Sequence, residues 1–389
     1  MTWPKVKLGD VCEVMMGQSP PGDQYNFEEL GKPLITGSGQ LGELYPKPTQ
    51  WSKAGARSSI AGDLILSIRA SIGDLNLSDR EYYLGRGVAG LRPTPKLDSR
   101  YLWFAIGITS SELASKGTGS TFLQVRRADV ENIEIPLPPL AEQKRLAAIL
   151  DHADELRRVR RESLRVLDEL AQSLFLELFG DPATNPKGWN VVKLGELMKI
   201  RRGASPRPID QFMNGTVNWI KIGDGTKGSD IYLEQCADKV TEEGTKRSVF
   251  LKEGSLIFAN CGVSLGFARI LKVDGCIHDG WLAFENITPQ LDKIFLLKAL
   301  NAMTMNFRAM APDGTQPNLN TGIMKDFRLI LPPLSLQQQF AEQIEELEAI
   351  KRHVRESSTR LDALFASLQA RAFAGELSEG ERTLSVGDG

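Results

Sequence analysis

The chain of 389 residues repeats itself, and a repeat has to be placed before any element is assigned. It opens with Trp3-Pro4-Lys5-Val6-Lys7-Leu8-Gly9-Asp10, and 186 residues on it reads Trp189-Asn190-Val191-Val192-Lys193-Leu194-Gly195-Glu196. At the same offset Gly17, Ser19 and Pro20 meet Gly203, Ser205 and Pro206, and Gly37 and Gly39 meet Gly223 and Gly225. Insertions, which belong in surface loops, then move the register. Gly62 with its apolar run matches Gly254, Ser71-Ile72-Gly73 matches Ser264-Leu265-Gly266, and Gly117-Thr118 matches Gly314-Thr315. The offset settles at 194, where Leu137-Pro138-Pro139-Leu140 meets Leu331-Pro332-Pro333-Leu334 and Gln143 meets Gln337. Such a chain has to fold as two equivalent units.

Each half is one Gly- and Pro-rich, β-leaning unit followed by one long helix. In the first, the runs Asp63 to Arg69 and Tyr82 to Leu91 are short, apolar and bounded by turn residues, which predicts strands. Tracts from about Ala141 to Phe179 and from about Leu336 to Phe373 hold no internal Pro or Gly and follow a Pro-Pro pair, which predicts helices. Both tracts carry a stripe at heptad spacing: Leu146, Ile149, Ala153, Leu156, Arg160, Ser163, Leu167, Leu170 and Leu174, matched by Phe340, Gln343, Leu347, Ile350, Val354, Ser357, Leu361, Leu364 and Leu368. Equal length and matching pattern predict that the helices pair with each other. The turn-rich stretch Gly180 to Gly188 reads as a linker, and the tail from Ser378 as frayed. The organisation is therefore residues 1–140, a β unit; 141–180, a helix; 181–334, a second β unit opening with the linker; 335–377, a second helix; and 378–389, a tail.

Composition and motifs exclude several classes of function. With 41% apolar and 25% charged residues the chain is globular, and no apolar run approaches the roughly 18 residues of a membrane span, so a cytoplasmic protein is expected. Cys12, Cys236, Cys261 and Cys276 form no Cys-x-x-Cys pair, which predicts reduced structural thiols and neither disulfides nor a metal site. Gly37-Ser38-Gly39-Gln40-Leu41-Gly42 and Gly223-Asp224-Gly225-Thr226-Lys227-Gly228 fit a GxGxxG pattern, yet Pro46 and Pro48 or a β-type run follow where a dinucleotide site needs a helix, so tight turns are expected. There is no phosphate loop. No Pro-Pro pair sits in the Asn/Asp-Pro-Pro-aromatic loop of adenine methyltransferases. His152 and His353 fall on the helices, and His278 corresponds to Gly85 in the first copy, so chemistry common to both halves cannot use it. What remains is polar donors and basic loops: Arg126-Arg127 in the first unit, and Arg201, Arg202 and Arg207 in the second. Arg and Lys neutralise phosphates, while Arg, Asn and Gln read base edges.

The order of these motifs resembles the specificity (S) subunit of type I restriction-modification systems: Trp-x-x-Val-Lys-Leu-Gly, β unit, Leu-Pro-Pro-Leu-x-x-Gln, long helix, Phe179-Gly180-Asp181-Pro182, then the pattern again over nearly the whole chain. The resemblance implies an α+β fold: two β-rich target-recognition domains, each followed by a long helix, the helices pairing as an antiparallel coiled coil. It implies a non-catalytic chain that reads a bipartite site in double-stranded DNA, one domain per half-site. Two methyltransferase (M) subunits using S-adenosylmethionine and two restriction (R) subunits using ATP and Mg would dock on it, with no membrane involved. Candidate DNA-binding residues are Ser38, Gln40, Arg57, Arg69, Arg86, Ser120, Thr121 and Gln124 in the first domain. In the second they are Arg201, Arg202, Arg207, Lys221, Asp224, Asn260, Thr315, Gln316 and Asn318. Candidate partner-binding residues lie on helix faces expected to be exposed: Arg157, Arg158, Arg161 and Glu162, matched by Lys351, Arg352, Arg355 and Glu356. Two other classes stay open from the residues alone, a coiled-coil scaffold with two protein-binding β modules and a stand-alone methyltransferase or nuclease.

Overall fold

In a computed structural model, which describes residues 3–119, 123–262, 264–310 and 318–377, the chain divides into two compact units. One comprises Met1–Val159 with Ser358–Gly389, the other Arg160–Ser357. Each takes one β region, the adjacent half of one long helix and the far half of the other. The helices run Leu140–Phe179 and Leu334–Ala374, starting within two residues of the expected positions.

The first unit has two main sheets. Strands Cys12–Met16, Val88–Pro93, Leu64–Ser67 and Leu75–Leu77 form an antiparallel four-stranded sheet in that order. A five-stranded sheet takes Tyr25–Asn26, Trp51–Ser52, Lys32–Ile35, Tyr82–Leu84 and Ser58–Ser59, with Lys32–Ile35 parallel to Tyr82–Leu84. The run expected to be one strand over Tyr82 to Leu91 is thus two strands in different sheets. It breaks at Gly85-Arg86-Gly87, where a Cβ on Gly17 would stand 2.1 Å from the Gly85 carbonyl oxygen. Two backbones cross here so closely that only glycine fits at position 17.

The second unit repeats the plan. Strands Lys199–Arg202, Trp281–Glu285, Leu256–Ala259, Ala268–Leu271 and Tyr232–Leu233 form one sheet; Asp238–Val240, Met213–Ile220, Gly275–Ile277 and Val249–Leu251 form the other. A Cβ on Gly203 would lie 2.2 Å from the His278 carbonyl oxygen, the same crossing.

The conserved punctuation of the repeat has a mechanical reading. Gln143 is fully buried: its Oε1 accepts from the Asp98 N–H at 2.8 Å and its Nε2 donates to the Lys96 and Pro138 carbonyls at 2.9 and 2.8 Å. Gln337, equally buried, accepts from the Asp292 N–H at 2.9 Å and donates to the Gln290 and Pro332 carbonyls at 3.2 and 2.8 Å. Asp98 and Asp292 in turn cap the helices Ser99–Ser115 and Lys293–Ala302, so one glutamine ties the start of each long helix to the cap of a second helix. At the other end, Gly180 and Gly375 follow the helices with φ of 76° and 73°, the left-handed stop. The Trp189 indole donates to the Phe179 carbonyl at 2.9 Å in the second unit, and Trp3 to the Ala372 carbonyl at 3.3 Å in the first.

Within each unit the helix segments pack on each other as well as on the sheets. In the first, Leu146, Ala147 and Leu150 share a core with Ala372, Phe365 and Leu368. In the second, Phe175 and Phe179 meet Phe340 with ring centroids 5.6 and 5.3 Å apart. An early part of one helix therefore meets a late part of the other, which is antiparallel pairing. The seam keeps part of the expected stripe, since Leu146, Ala153 and Phe340 are buried, but Leu156, Leu170, Ile350 and Leu364 are 42 to 50% exposed. The buried side also takes in Gln143, Ala147, Leu150, Asp154 and Arg157, and Gln337, Ala341, Ile344, Glu348 and Lys351. Each helix faces a sheet as well as a helix, so the buried side is the compromise between two neighbours and shifts by a residue from a simple coiled-coil stripe.

Candidate nucleic-acid interface

In each unit the same loops converge, held by the same backbone bonds. In the first, Gly17 N–H donates to the Val88 carbonyl at 2.9 Å, Gln18 N–H to Leu84 at 2.8 Å, Ile68 N–H to Gly87 at 3.0 Å and Val125 N–H to Ile68 at 3.1 Å. In the second, Gly203 N–H donates to Trp281 at 2.8 Å, Ala204 to Ile277 at 3.3 Å, Asn260 to Gly280 at 3.0 Å and Leu319 to Asn260 at 2.8 Å. Isolated bridges complete the match: Arg69 with Gln124 in one unit, Cys261 with Asn318 in the other. Four loops distant in sequence thus form one polar cluster, built twice.

The expected residues sort into those in the cluster and those that build its frame. Arg69, Arg86 and Gln124 are exposed on the first cluster, and the Arg86 Nε donates to the Ser19 hydroxyl at 3.0 Å. Arg57 is exposed beside it, its carbonyl accepting from the Leu84 N–H at 3.0 Å. Ser38 opens a short turn, Ser38–Gln40. Gln40 corrects the expectation of a base contact. It is buried; its Oε1 accepts from the Thr36 N–H and hydroxyl at 2.6 and 2.9 Å, and its Nε2 donates to the Leu34 carbonyl and the Thr49 hydroxyl at 3.2 and 3.1 Å. Ser120, Thr121, Thr315 and Gln316 lie outside the described residues.

In the second cluster Arg202 Nε donates to the Asp279 carbonyl at 2.8 Å, and an Arg207 Nη2 lies 3.7 Å from the Asp279 carboxylate. Arg201 is committed to Glu285 across the sheet at 2.6 Å, and Lys221 to Asp238. Asp224 is a turn former, accepting from the Lys221 and Ala237 N–H groups at 2.8 and 3.3 Å. Asn260 is fully buried and donates to Asn318 Oδ1 at 3.1 Å, so it positions Asn318 where a base contact of its own was expected. Both GxGxxG segments carry short 3-10 turns, as expected of loops rather than dinucleotide sites.

Sequence reasoning named Ser19, Ser205, Cys261 and His278 without making them site residues, and did not weigh Asp279. Asp279 Oδ1 accepts from the Ser205 hydroxyl at 2.7 Å and faces His278 Nε2 at 3.1 Å, while His278 Nδ1 accepts from the Gly280 N–H at 2.9 Å. Burial pulls the His278 imidazole below its ordinary value, against the pull of Asp279 and with the help of Arg207, Lys221 and Arg202. Burial would push the Asp279 carboxyl up, but the Ser205 hydroxyl and the neighbouring His278, Arg202 and Arg207 outweigh it and hold the carboxylate ionised. The signal was present in the repeat: Ser19 aligns with Ser205, and Arg86 with Asp279.

The helix residues expected to face partners include several that pair within their own unit. Arg157 bonds Asp154 at 2.9 Å and Asp362 at 2.6 Å, with its guanidinium over the Phe365 ring at 4.3 Å. Lys351, expected on an exposed face, is 1% exposed and pairs with Asp168 at 2.6 Å and Asp230 at 3.4 Å. These are one device used twice, since Lys351 aligns with Arg157 and Asp168 with Asp362 at the offset of 194. Lys298 also pairs with Asp230. Burial pushes the Asp230 carboxyl up, but Lys298 and Lys351 overcome it and bring it down to about 2. Arg355 bonds Glu348 at 2.7 Å, and Arg158 and Glu162 pair with Glu155 and Arg165. Arg161, Arg352 and Glu356 are exposed.

All four cysteines are free thiols, and burial raises Cys12 to about 12. Among the described residues no His, Cys, Asp and Glu cluster could hold a metal ion, and no helix is long and apolar enough to cross a membrane.

Comparison with known proteins gives the same picture. The family model described as type I restriction modification DNA specificity domain matches residues 1–165 and again 186–357. The type I restriction enzyme MjaIX specificity subunit of Methanocaldococcus jannaschii is 24% identical over 89% of this chain and 86% of its own length. The putative MjaX specificity subunit of the same organism is 31% identical, and that match spans 44% of this chain and 41% of the relative. The crystal structure of the type I restriction-modification S subunit from M. genitalium superposes with a TM-score of 0.61, covering 96% of each chain at 16% identity.

Proposed function

Since the chain belongs to the type I restriction-modification DNA specificity family, we propose that it reads a split site in double-stranded DNA, each loop cluster taking one half-site. The observation that carries this reading is the duplicated cluster: identical backbone bonds support different side chains, Arg69, Arg86 and Gln124 in one copy and Cys261, Asp279 and Asn318 in the other. A fixed frame with variable donors and acceptors is what direct readout of two unlike half-sites needs.

The chain is the recognition component and carries no catalytic set of its own. Two M subunits supply methylation with S-adenosylmethionine, and two R subunits supply cleavage with ATP and Mg. The matched helix positions Glu162 and Glu356, both exposed, support two equivalent M-docking surfaces, consistent with twofold-like duplication. A gel shift of the purified M and S complex on a library of duplexes tests the reading. Enrichment of one bipartite sequence is expected; binding with no sequence preference, or none, would leave a protein scaffold as the better account. Native mass spectrometry should give two M subunits per chain, and a one-to-one complex at saturating M subunit would overturn the docking scheme.

A further inference from the structure

One position on each reading face carries opposite charge in the two copies. The residue two before the first residue of the central strand is Arg86 ahead of Val88–Pro93 and Asp279 ahead of Trp281–Glu285. The backbone around it is the same, as the paired bonds of Gly17 to Val88 and Gly203 to Trp281, and of Ile68 to Gly87 and Asn260 to Gly280, require. A serine aligned in both copies holds each side chain. Ser19 accepts from Arg86 Nε at 3.0 Å, whereas Ser205 donates to Asp279 Oδ1 at 2.7 Å. A hydroxyl both accepts and donates, so one serine can anchor either sign without any change in the frame.

We infer that this serine-anchored position is a specificity-determining site used with opposite polarity, Arg86 reading a guanine in one half-site and Asp279 a cytosine amine in the other. The inference rests on the DNA-reading function proposed above. Arg86 anchors through Nε alone and pairs with no carboxylate among the described residues, so the two terminal nitrogens of its guanidinium face solvent as the donor fork that matches guanine O6 and N7. Asp279 engages Ser205 and His278 through Oδ1, while among the described residues its Oδ2 has only Arg207 Nη2 at 3.7 Å, beyond hydrogen-bond reach. That oxygen is the acceptor for an exocyclic amine. The neighbouring Arg202, bonded to its main chain, and Arg207 keep a carboxylate compatible with a phosphate-lined groove.

The test uses the M and S complex with a duplex library randomised at both half-sites, comparing the parent chain, Arg86→Gln and Asp279→Asn. A parent complex that selects no split site would refute the proposed function itself. Given a parent site, Arg86→Gln should lose discrimination at one G·C pair of one half-site and Asp279→Asn at one G·C pair of the other, each by roughly 5- to 150-fold. The untouched half-site reports in the same experiment that the variant is folded. Discrimination unchanged at every position, both variants acting on the same half-site, or a loss spread evenly over both half-sites would each overturn the assignment. As a second arm, Ser205→Ala should weaken the effect at the Asp279 position only; if it leaves that position untouched, the serine is not the anchor.

Discussion

Replacing Gln337 by leucine keeps the side chain near its volume and removes every polar contact the amide makes. Three backbone groups lose their partner at once: the Asp292 N–H and the Gln290 and Pro332 carbonyls. The site is fully buried, so water does not replace the amide. A buried backbone group left unpaired costs about 1–3 kcal/mol, and taking the low end for each gives about 3 kcal/mol. The loss does not stop there, because the Asp292 carboxylate caps the Ile294 and Phe295 N–H groups at 2.8 and 3.0 Å, and Gln337 holds the backbone of that cap. At about 2–4 °C per kcal/mol for a unit of this size, the melting transition should fall by about 6–12 °C. Thermal unfolding followed by circular dichroism, with urea titration as a second measure, reads the effect. Gln143→Leu should match it, and the exposed neighbour Gln338→Leu should change Tm by less than about 2 °C, as surface substitutions do. A Gln337→Leu variant that melts within about 2 °C of the parent would refute the tether.

Gly203→Ala places a Cβ 2.2 Å from a backbone carbonyl that cannot rotate away, so it should cost about 1–3 kcal/mol by urea titration and impair recognition of one half-site in the duplex library. Trp189→Phe removes the bond to the Phe179 carbonyl and should lower stability by about 1 kcal/mol, again by urea titration. For Asp230, the folded carboxyl titrates at about 2 against an ordinary 3.8, so its contribution is complete above about pH 4 and disappears as pH falls toward 2. Urea midpoints measured from pH 6 to 2 should drop less steeply below pH 4 in Asp230→Asn than in the parent; equal slopes would contradict the ion pairs with Lys298 and Lys351.

Much of this architecture was legible because repetition constrains more than local propensity does. The two long helices, their pairing and the turn character of the GxGxxG segments followed from pattern, and the antiparallel sense of the pairing from the family resemblance. What escaped depended on contacts between distant segments. The break at Gly85 to Gly87 is invisible to an apolar run, since it exists only because Gly17 crosses there. The helix seam moved by a residue because a sheet competes for each helix, and that shift buried Lys351, which a solvent-facing count had placed outside. Gln40, Asp224 and Asn260 carry the side-chain types that read bases, yet Gln40 and Asp224 are spent closing turns and the Asn260 amide is spent holding the Asn318 segment. Asp279 was not among the candidates, because only its neighbour His278 was weighed and then set aside, although the alignment of Asp279 with Arg86 on a matched serine was the sign of a variable reading position.

The central claim, two equivalent readers of independent half-sites, is tested most directly by sequencing methylated adenines in DNA modified by the M and S complex. The measurement compares the parent chain with a chimera in which residues 190–330 come from another family member. The account predicts a bipartite motif for the parent, and for the chimera one half-site unchanged and the other replaced. A continuous motif in the parent, or a chimera in which both half-sites change, would contradict it.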